Sequence, residues 1–494
     1  MFTIKRLIQK GKPSLVRYSS TSHLPTVYAL STHFARSAIG VVRISGTHSQ
    51  FVLEQLTKQA LPKPRIASVR KLYQPNTSNL LDESLAIFFK SPKSYTGEDL
   101  VELHLHGGTA VIQAVLKSIE SLHTVERPIR YAEAGDFSKR AFQNGRFDLT
   151  EIEGIRELID AETESQRRGV MSSVTGGNKD KFLQWREKMV DSIGLLTAII
   201  DFAEDAEIED IEKIYNNVDS KIKELDSDIK EFLERTQRSE VLLKGIKLTL
   251  LGPPNAGKSS ILNKLANEEA AIVSDIAGTT RDIINVPLNI QGYKVVVGDT
   301  AGIRDLAKAD RIEVEGIKRA KMQAQIGDLV VVVLGTDNMK IEDELADMVK
   351  LLNSEKKVLV VLNKCDLVKD DEVSTLIKNI SSRLNVPMEN FLPVSCIDSK
   401  GLEQLSSQLV SEFKRISFTE TTEPLIITQR VKDILINDVL MGFEEFQRYK
   451  DLDDVVIASE SLVQSVEGIG KITGETVGVE EVLGVVFSSF CVGK

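Results

Sequence analysis

The residues best suited to chemistry form a glycine-rich loop between a predicted strand and a predicted helix. The loop reads Gly252-Pro-Pro-Asn-Ala-Gly-Lys-Ser-Ser260, after the strand-like run Ile246–Leu251 and before the helix-like run Ile261–Leu265. Glycines in this context let backbone N–H groups wrap phosphates at the start of a helix. We expect Lys258 to reach the β- and γ-phosphates and the Ser259 hydroxyl to hold Mg²⁺. The loop therefore predicts a nucleoside triphosphate site.

Three further motifs follow at the ends of predicted strands. They are Asp299-Thr-Ala-Gly302 after Lys294–Val297, Asn363-Lys-Cys-Asp366 after Val358–Leu362, and Ser395-Cys396 after Phe391–Val394. We expect Asp299 in the Mg²⁺ shell and the Gly302 N–H at the γ-phosphate. The Asp366 carboxylate suits guanine, which offers it an N–H and an amino group, whereas adenine offers neither and would leave the acid unpaired. Taken alone, Asp366 also fits a helix N-cap or a solvated acid, but the four motifs together predict GTP.

Hydrolysis at this site needs a different arrangement from that of Ras-like enzymes. Just after the Asp-x-x-Gly motif those enzymes carry a Gln that orients water, and this chain carries Ile303, which has no hydrogen-bonding group. Asn255 and the carbonyls of Ser274-Asp-Ile-Ala-Gly-Thr-Thr-Arg-Asp282 could hold a monovalent cation against the phosphates. Thr280 is the expected second hydroxyl ligand of Mg²⁺. Glu313 could orient the water through a second water, although a solvated helix face is the simpler explanation of Glu313 on sequence alone.

The whole chain has the composition of an ordinary globular protein. Its 494 residues suit two or three domains, with 42% apolar and 27% charged residues. No apolar run is long enough to predict a membrane span. The net charge of −10 argues weakly against a nucleic-acid partner but leaves room for a local basic surface. Cys365, Cys396 and Cys491 have no metal-binding spacing and indicate a reducing compartment without a structural disulfide.

The amino terminus is basic and free of acids. Residues 1–53 contain no Asp or Glu, and the first 20 residues interleave five Lys or Arg with apolar residues and serines. This composition is typical of an amphipathic mitochondrial presequence. We predict a presequence over residues 1–20 and location in the mitochondrial matrix; a basic disordered tail is the alternative.

The rest of the chain predicts an α/β plus α architecture in three parts. Short strands and a helix indicate an N-terminal α/β domain over 21–145: Thr26–Leu30, Ile39–Ile44, Leu85–Phe89, Leu100–Leu105 and Ala110–Leu122. Residue patterns typical of long helices indicate a helical domain over 146–243 and 412–494. In it, Ile152, Ile155, Leu158 and Ile159 are predicted to lie on one helical face. Residues 244–411 lie between them and predict an inserted Ras-like P-loop domain, with helices on both faces of a parallel-type sheet.

Longer motifs in the chain can be compared with those of known families. They are Pro254-Asn-Ala-Gly-Lys-Ser-Ser260, Asp275-Ile-Ala-Gly-Thr-Thr-Arg-Asp282, Ser94-Tyr-Thr-Gly-Glu-Asp99, Glu102-Leu-His-Leu-His-Gly-Gly108 and the terminal Phe490-Cys-Val-Gly-Lys494. With them, the chain from about residue 26 to its end resembles the MnmE family. The resemblance implies a folate-binding N-terminal domain that forms a homodimer, a helical domain with an inserted G domain, and potassium-stimulated GTP hydrolysis.

The resemblance also implies a function and partners. Together with a FAD-containing MnmG-type protein, in an expected heterotetramer, family members modify the wobble uridine of tRNA. They place an aminomethyl-type group there, such as 5-carboxymethylaminomethyl, and draw one carbon from a 5-formyl- or methylene-tetrahydrofolate. A different class of function, a mitochondrial ribosome-assembly GTPase switch, has a similar G domain. Such a switch would more often carry a basic RNA-binding appendage, and we find none in the sequence.

Site residues follow from matching motifs. The residues expected to bind GTP are Asn255, Ala256, Gly257, Lys258, Ser259, Ser260, Thr279, Thr280, Asp299, Gly302, Asn363, Lys364, Asp366 and Ser395. The potassium ligands implied by the resemblance are Asn255, Ser274, Ile276 and Thr279, and those of Mg²⁺ are Ser259 and Thr280. The implied folate contacts are Arg43, Glu102, Arg146 and Lys494. The expected catalytic residues are Glu313, Lys258 and Cys491, whose thiol pKa the nearby Lys494 would lower.

One of these contacts also has support from the residues alone. Glu102, His104 and His106 share a face of a predicted strand. A pterin presents the same N–H and amino pair as guanine, so Glu102 could bind it as Asp366 binds the base. A half-exposed strand face or a metal site are the alternatives. The chain departs from the family at Arg146, where Lys is usual, and its Asp299–Glu313 spacing is two residues longer than usual.

Overall fold

The structure, a computed structural model, describes residues 24–202, 208–268, 286–298, 327–337, 341–417, 424–475 and 493. Its strands are β1 (Thr26–Leu30), β2 (Ile39–Ser45), β3 (Ser68–Tyr73), β4 (Leu80–Phe89), β5 (Leu100–His106), β6 (Ile129–Tyr131), β7 (Ile246–Leu251), β8 (Val286–Ile290), β9 (Tyr293–Val297), β10 (Leu329–Gly335), β11 (Val358–Asn363) and β12 (Phe391–Pro393). Its α-helices are α1 (Ser49–Thr57), α2 (Thr109–Glu120), α3 (Asp136–Gln143), α4 (Leu149–Asp160), α5 (Glu164–Val174), α6 (Gly177–Phe202), α7 (Ile208–Lys244), α8 (Lys258–Glu268), α9 (Asp343–Glu355), α10 (Asp370–Leu384), α11 (Leu402–Ser417), α12 (Gln429–Ile434), α13 (Met441–Lys450) and α14 (Val455–Thr473).

The N-terminal sheet is six-stranded, in the order β3-β4-β5-β2-β1-β6. Its neighbours are antiparallel except for β1 and β6, which run parallel. Because side chains alternate along a strand, each face of the sheet has its own set of residues. Val42 and Ile44 of β2 and Leu103 of β5 join the core that α1 and α2 cover. Arg43 and Glu102 therefore lie on the other face.

The second sheet has the order β12-β11-β10-β7-β9-β8 and is parallel except at its edge strand β8. Every residue of β10 is buried. Val331 and Val333 lie in a core with α8 and α11, whereas Val330 and Val332 lie in a core with α9 and α10. Helices thus cover both faces, which explains why the central strands are continuous apolar runs rather than alternating ones.

The described residues form two compact units. One takes residues from 1–156, 173–227 and 428–494, and the other from 157–172 and 228–427. In the first unit, α14 packs against α6 and α13. There Glu153 of α4 accepts hydrogen bonds from Arg430 Nε at 2.7 Å and Thr428 Oγ1 at 3.0 Å. The domain boundaries predicted from the sequence remain predictions.

The predicted fold class, α/β plus α with a P-loop domain, is confirmed. All named strands and the helix at 110–122 occur, with β1 and β7 at the predicted bounds. Along α4, Ile152 is fully buried, whereas Ile159, on the same face of the helix, is 43% exposed. None of the helices in the described ranges combines the length and hydropathy needed to cross a membrane.

Candidate functional site

The phosphate loop joins β7 to α8 and needs glycine at two points. Gly252 has φ +143°, and a Cβ there would lie 2.0 Å from the Val333 carbonyl oxygen of β10. Gly257 has φ +94°, and its Cβ would lie 2.0 Å from Asn363 Nδ2. Both positions therefore combine a left-handed backbone with a close approach that a side chain would prevent. Asn255, at the loop tip, is exposed and also has a positive φ of 61°.

The Lys258 ammonium lies inside this loop. Its Nζ donates to the carbonyl oxygens of Gly252 at 2.7 Å and Pro253 at 2.9 Å. Burial lowers the pKa of Lys258. Helix α8 begins at Lys258, so the positive end of the helix dipole and the N–H groups of Ser259 and Ser260 share this place with the ammonium. Loop, ammonium and helix terminus together can neutralise a bound polyphosphate.

The base-specifying motif is tied to the phosphate loop. Asn363, at the end of β11, donates from Nδ2 to the Ala256 carbonyl at 2.9 Å. This residue was expected to bind GTP, and in the structure its side chain positions the loop. Lys364 has a left-handed backbone, with φ 65°. The motif and the phosphate loop therefore meet at the carboxyl edge of the sheet.

Asp366 is oriented by the last of the four motifs. Ser395 is fully buried, and its Oγ donates to Asp366 Oδ1 at 2.7 Å. The Asp366 side chain itself is exposed. Its carboxylate can therefore meet a ligand while one oxygen stays fixed by the hydroxyl. This arrangement suits the guanine contact that the sequence predicts.

Sequence reasoning missed two residues of this site. Thr336 Oγ1 donates to the Lys364 carbonyl at 2.6 Å, and Lys364 Nζ lies 2.5 Å from Asp337 Oδ2. Both residues directly follow the buried strand β10. Because the carboxyl ends of parallel strands meet at one edge of a sheet, that position was the available signal.

The two cysteines near the base motif lie in buried or partly buried surroundings. Cys365 is buried, and its thiol contacts the Leu362 carbonyl at 3.0 Å. Burial, joined by the nearby Asp366 charge, raises the pKa of Cys396, although Lys264 opposes the shift. A raised pKa disfavours the nucleophilic thiolate. The burial of Cys365 and the partial burial of Cys396 fit small packing residues beside the base motif.

Nine predicted site residues lie outside the described part of the chain. They are Ser274, Ile276, Thr279, Thr280, Asp299, Gly302, Glu313, Cys491 and Lys494. The second Mg²⁺ ligand, most of the potassium set and the water-orienting glutamate therefore stay predictions.

A second candidate site lies on the N-terminal sheet. Arg43 of β2 and Glu102 of β5 are register partners, and Arg43 Nε donates to Glu102 Oε1 at 2.8 Å. The Arg43 guanidinium lies 5.4 Å from the centre of the Tyr95 ring, and this ring contacts Phe147. Arg43 thus links Glu102 to the Tyr95 ring, and Arg146 is the sequence neighbour of the Phe147 that contacts the same ring.

The two histidines of β5 behave differently. His104 Nε2 lies 3.5 Å from Glu102 Oε2, and this buried nitrogen has no hydrogen-bond partner among the described residues. His106 is 74% exposed, and its Nδ1 contacts Asp82 Oδ1 of β4 at 2.7 Å. The three residues alternate along β5 and share a face as predicted, but only Glu102 and His104 contact each other, because Asp82 of the neighbouring strand engages His106.

The carboxyl-terminal segment reaches the same domain. Ser31, just after β1, donates from Oγ to the Gly493 carbonyl at 3.0 Å. Gly493 has φ +97°, and a Cβ there would lie 2.4 Å from the Leu30 carbonyl oxygen. The Ser31 N–H bonds to Val41, and Val41 pairs with His104. Ser31, Val41 and His104 therefore lie side by side in one row across three neighbouring chain segments. Two strand spacings, about 10 Å, separate Ser31 from His104.

Comparison with known proteins identifies the two domain types. The family profile described as the GTP-binding protein TrmE N-terminus matches residues 26–146, and the MnmE helical domain profile matches residues 149–491. The matched ranges contain both candidate sites described above, apart from the last residues of the chain.

Curated relatives are similar along almost the whole length. The mitochondrial tRNA modification GTPase MSS1 of Saccharomyces cerevisiae is 45% identical, over 100% of this chain and 99% of its own. The mitochondrial 5-taurinomethyluridine-[tRNA] synthase subunit GTPB3 of Danio rerio is 37% identical, over 95% and 93%. The tRNA modification GTPase MnmE of Rickettsia akari is 38% identical, over 95% and 100%.

These findings decide between the two classes of function considered from the sequence. The relatives are modification enzymes rather than ribosome-assembly switches. The P-loop geometry and the fixed Asp366 carboxylate agree with a GTPase. The chain belongs to the MnmE family, and it is a tRNA modification GTPase.

Proposed function

We propose that this GTPase installs an aminomethyl-type group on the wobble uridine of mitochondrial tRNAs. It works with a FAD-containing MnmG-type partner and takes one carbon from a reduced folate held on the N-terminal sheet. The observation that carries the proposal is the Arg43–Glu102 pair beside Tyr95, because it gives a tRNA modification GTPase a second built site away from its nucleotide motifs.

The donor set of this second site fits a pterin. Arg43 holds Glu102 Oε1, whereas Oε2 makes no hydrogen bond to any described residue. A carboxylate oxygen with free lone pairs accepts from the N–H and amino groups that a pterin edge presents. The buried His104 Nε2, 3.5 Å from this oxygen and without a hydrogen-bond partner among the described residues, also calls for a polar ligand. A bound one-carbon folate would supply the carbon, while Arg43, Glu102 and Arg146 orient it.

The carboxyl-terminal residues join this site in the proposal. Gly493 is fixed at the end of β1, and Lys494 is the next residue in the sequence. A lysine there suits the acidic tail of a folate. Cys491 lies two residues before Gly493, close enough in sequence to act in the modification chemistry.

Cations complete the nucleotide site in the proposal. Ser259 and Thr280 would hold Mg²⁺, and Asn255, Ser274, Ile276 and Thr279 would hold K⁺. A fixed monovalent cation supplies positive charge to the phosphates, as an arginine finger does in other GTPases. Glu313 would then orient the attacking water, a role that Ile303 cannot take.

Assembly and location follow from the same comparison. The Danio relative is named as a synthase subunit, which supports a second protein in the reaction. Ile39 and Val69, 58% and 66% exposed, lie on the sheet face that carries Glu102, which supports a homodimer through this domain. The acid-free basic amino terminus and the mitochondrial relatives support the matrix location.

Nucleoside analysis of mitochondrial tRNA tests the proposal. We expect a strain without the gene to lose the C5-substituted wobble uridine, and re-expression of the wild-type chain to restore it. Purification of the tagged full-length chain from mitochondria should bring a protein with FAD absorbance. Unchanged wobble uridines in the deletion strain would contradict the proposal.

A further inference from the structure

A basic surface lies on a chain that is acidic overall. Residues 58–93 contain seven Lys or Arg and two acids, a net charge of +5, whereas the whole chain carries −10. The seven cations are Lys58, Lys63, Arg65, Arg70, Lys71, Lys90 and Lys93, and we call them the basic edge. All are exposed except Arg70, which is half-buried. None of them forms an ion pair with an acid among the described residues.

Backbone and side-chain contacts gather four of these cations at one end of β4. The Arg65 N–H donates to the Phe88 carbonyl at 2.8 Å, and the Arg65 guanidinium donates to the Lys93 carbonyl at 2.5 Å. Lys90 and Lys93 close a turn through an N–H to carbonyl bond of 3.1 Å. Lys63 lies two residues before Arg65 and bonds in the same way to Ile66.

The remaining three cations continue along the edge of the sheet. Lys71 and Arg70 lie on β3, the outermost strand. The Lys58 ammonium lies 4.9 Å from the centre of the Tyr73 ring at the end of that strand. The six residues of β3 extend roughly 20 Å. The basic edge therefore follows the outer edge of the sheet from one end of β3 to the other, with Arg70 and Lys71 on opposite faces of that strand.

The two acids of this stretch leave most of the strip unbalanced. Asp82 contacts the backbone N–H and the ring of His106, which lies on β5, the neighbour of β4 on the side away from β3. Glu83 is the register partner of Lys71. Of the two cations that lie in a strand, Lys71 has an acid as its register partner and Arg70 has Ser84; the other five lie outside the strands and form no ion pair among the described residues.

Edge protection explains only part of this arrangement. Lysines on an edge strand commonly prevent pairing with another chain. That explanation covers Lys71 and Arg70 but not Lys63, Arg65, Lys90 and Lys93, which lie in loops outside β3. A run of unpaired cations that extends beyond the strand is the footprint of a polyanion.

We infer that the basic edge binds the phosphate backbone of the substrate tRNA. The inference rests on the proposed function and names the surface through which the N-terminal domain meets its substrate. β3 and β5 are separated by one strand, so Glu102 lies about 10 Å from the edge. Phosphate contacts on the edge would hold the tRNA against the domain that carries the one-carbon site, without reading its sequence.

Salt-dependent binding of the full-length protein to an unmodified tRNA transcript tests this inference. The patch variant is Lys63→Gln/Lys90→Gln/Lys93→Gln. The matched control, Lys117→Gln/Arg127→Gln/Lys139→Gln, removes three exposed cations of the same domain from α2, the segment before β6, and α3. Both variants have the same net charge. Their GTP hydrolysis should equal that of the wild type, which shows that both are folded.

We expect the patch variant alone to lose tRNA affinity. Each lost phosphate contact lowers the slope of log K against log salt by about 1, so three contacts lower it by about 3. Raising KCl from 50 to 200 mM weakens tRNA binding by both proteins. The factor by which affinity falls should be about 60 times smaller for the patch variant than for the wild type. The control should follow the wild type within about twofold.

Several outcomes would overturn the inference. They are a wild-type protein that does not bind the transcript at 50 mM KCl, a patch variant with an unchanged slope, and equal losses in patch and control variants. Intact tRNA binding with reduced binding of the FAD-containing partner would make the edge a protein interface instead. Loss of modification in the deletion strain, together with normal tRNA binding by the patch variant, would refute only this inference and leave the proposed function standing.

Discussion

The Asp366→Asn variant is expected to exchange guanine for xanthine specificity. Ser395 Oγ donates to Asp366 Oδ1 at 2.7 Å, so an asparagine there should keep its oxygen towards the serine and turn its amide NH₂ towards the base. That NH₂ faces the N–H and amino group of guanine, donor against donor. Xanthine has a carbonyl in place of the amino group and accepts from the NH₂.

The size of the effect follows from the bonds that are lost. A hydrogen bond to a charged group contributes about 1.5–3 kcal/mol, and guanine would make two with the carboxylate. The sum, about 3–6 kcal/mol, corresponds to a loss of 10²–10⁴ in affinity. Because the Asp366 side chain is exposed, solvent screens part of this energy, and we expect the lower end, about a hundredfold.

Equilibrium titration with fluorescent GTP and XTP analogues measures both affinities. Ser395→Ala is the matched control, since it keeps the charge of Asp366 and removes only its orientation. It should weaken GTP binding by about 1 kcal/mol, roughly fivefold, without any gain in XTP binding. An Asp366→Asn protein that retains the wild-type preference for GTP would refute the assignment of the base site.

Further predictions concern both sites. Gly257→Ala should reduce GTP affinity about tenfold or more, because its Cβ would lie 2.0 Å from Asn363 Nδ2 in a strained backbone; equal affinity in titration would contradict the loop geometry. Glu102→Gln should weaken binding of a reduced folate by about 2 kcal/mol or more in calorimetry and leave GTP hydrolysis unchanged; intact folate binding would remove Glu102 from the site. Gly493→Ala should release the tail, because its Cβ would lie 2.4 Å from the Leu30 carbonyl; unchanged protection of the tail from carboxypeptidase would argue against this contact. Hydrolysis should be faster in KCl than in NaCl, and equal rates would exclude a potassium site.

The sequence predicted several elements whose pattern is local, although it missed the apolar run of β10, Leu329–Gly335. Ile246–Leu251 and Thr26–Leu30 are short apolar runs bounded by turn residues, and both strands occur at those bounds. Strand β3 was missed because it lies at an edge, where only Leu72 is fully buried and two consecutive cations, Arg70 and Lys71, interrupt any apolar alternation. Pro287 obscured β8, and β6 has only three residues.

For the candidate sites, too, the sequence predicted local features and missed contacts between distant parts of the chain. Motif spacing led to Lys258 and Asp366, but nothing near Asn363 in sequence shows that its side chain bonds to Ala256. The period of a strand placed His104 and His106 on one face, and only the neighbouring Asp82 separates their roles. Contacts of this kind depend on which strands pair, and that is decided by the packing of the whole sheet.

The central claim is that one chain needs both its GTP site and its one-carbon site to modify tRNA. The most direct measurement is the amount of C5-substituted wobble uridine in mitochondrial tRNA from a deletion strain that expresses wild-type, Asp366→Asn or Glu102→Gln protein at equal levels. We predict that the wild type restores the modification and that neither variant does, although Glu102→Gln hydrolyses GTP normally. Full restoration by either variant would contradict the claim.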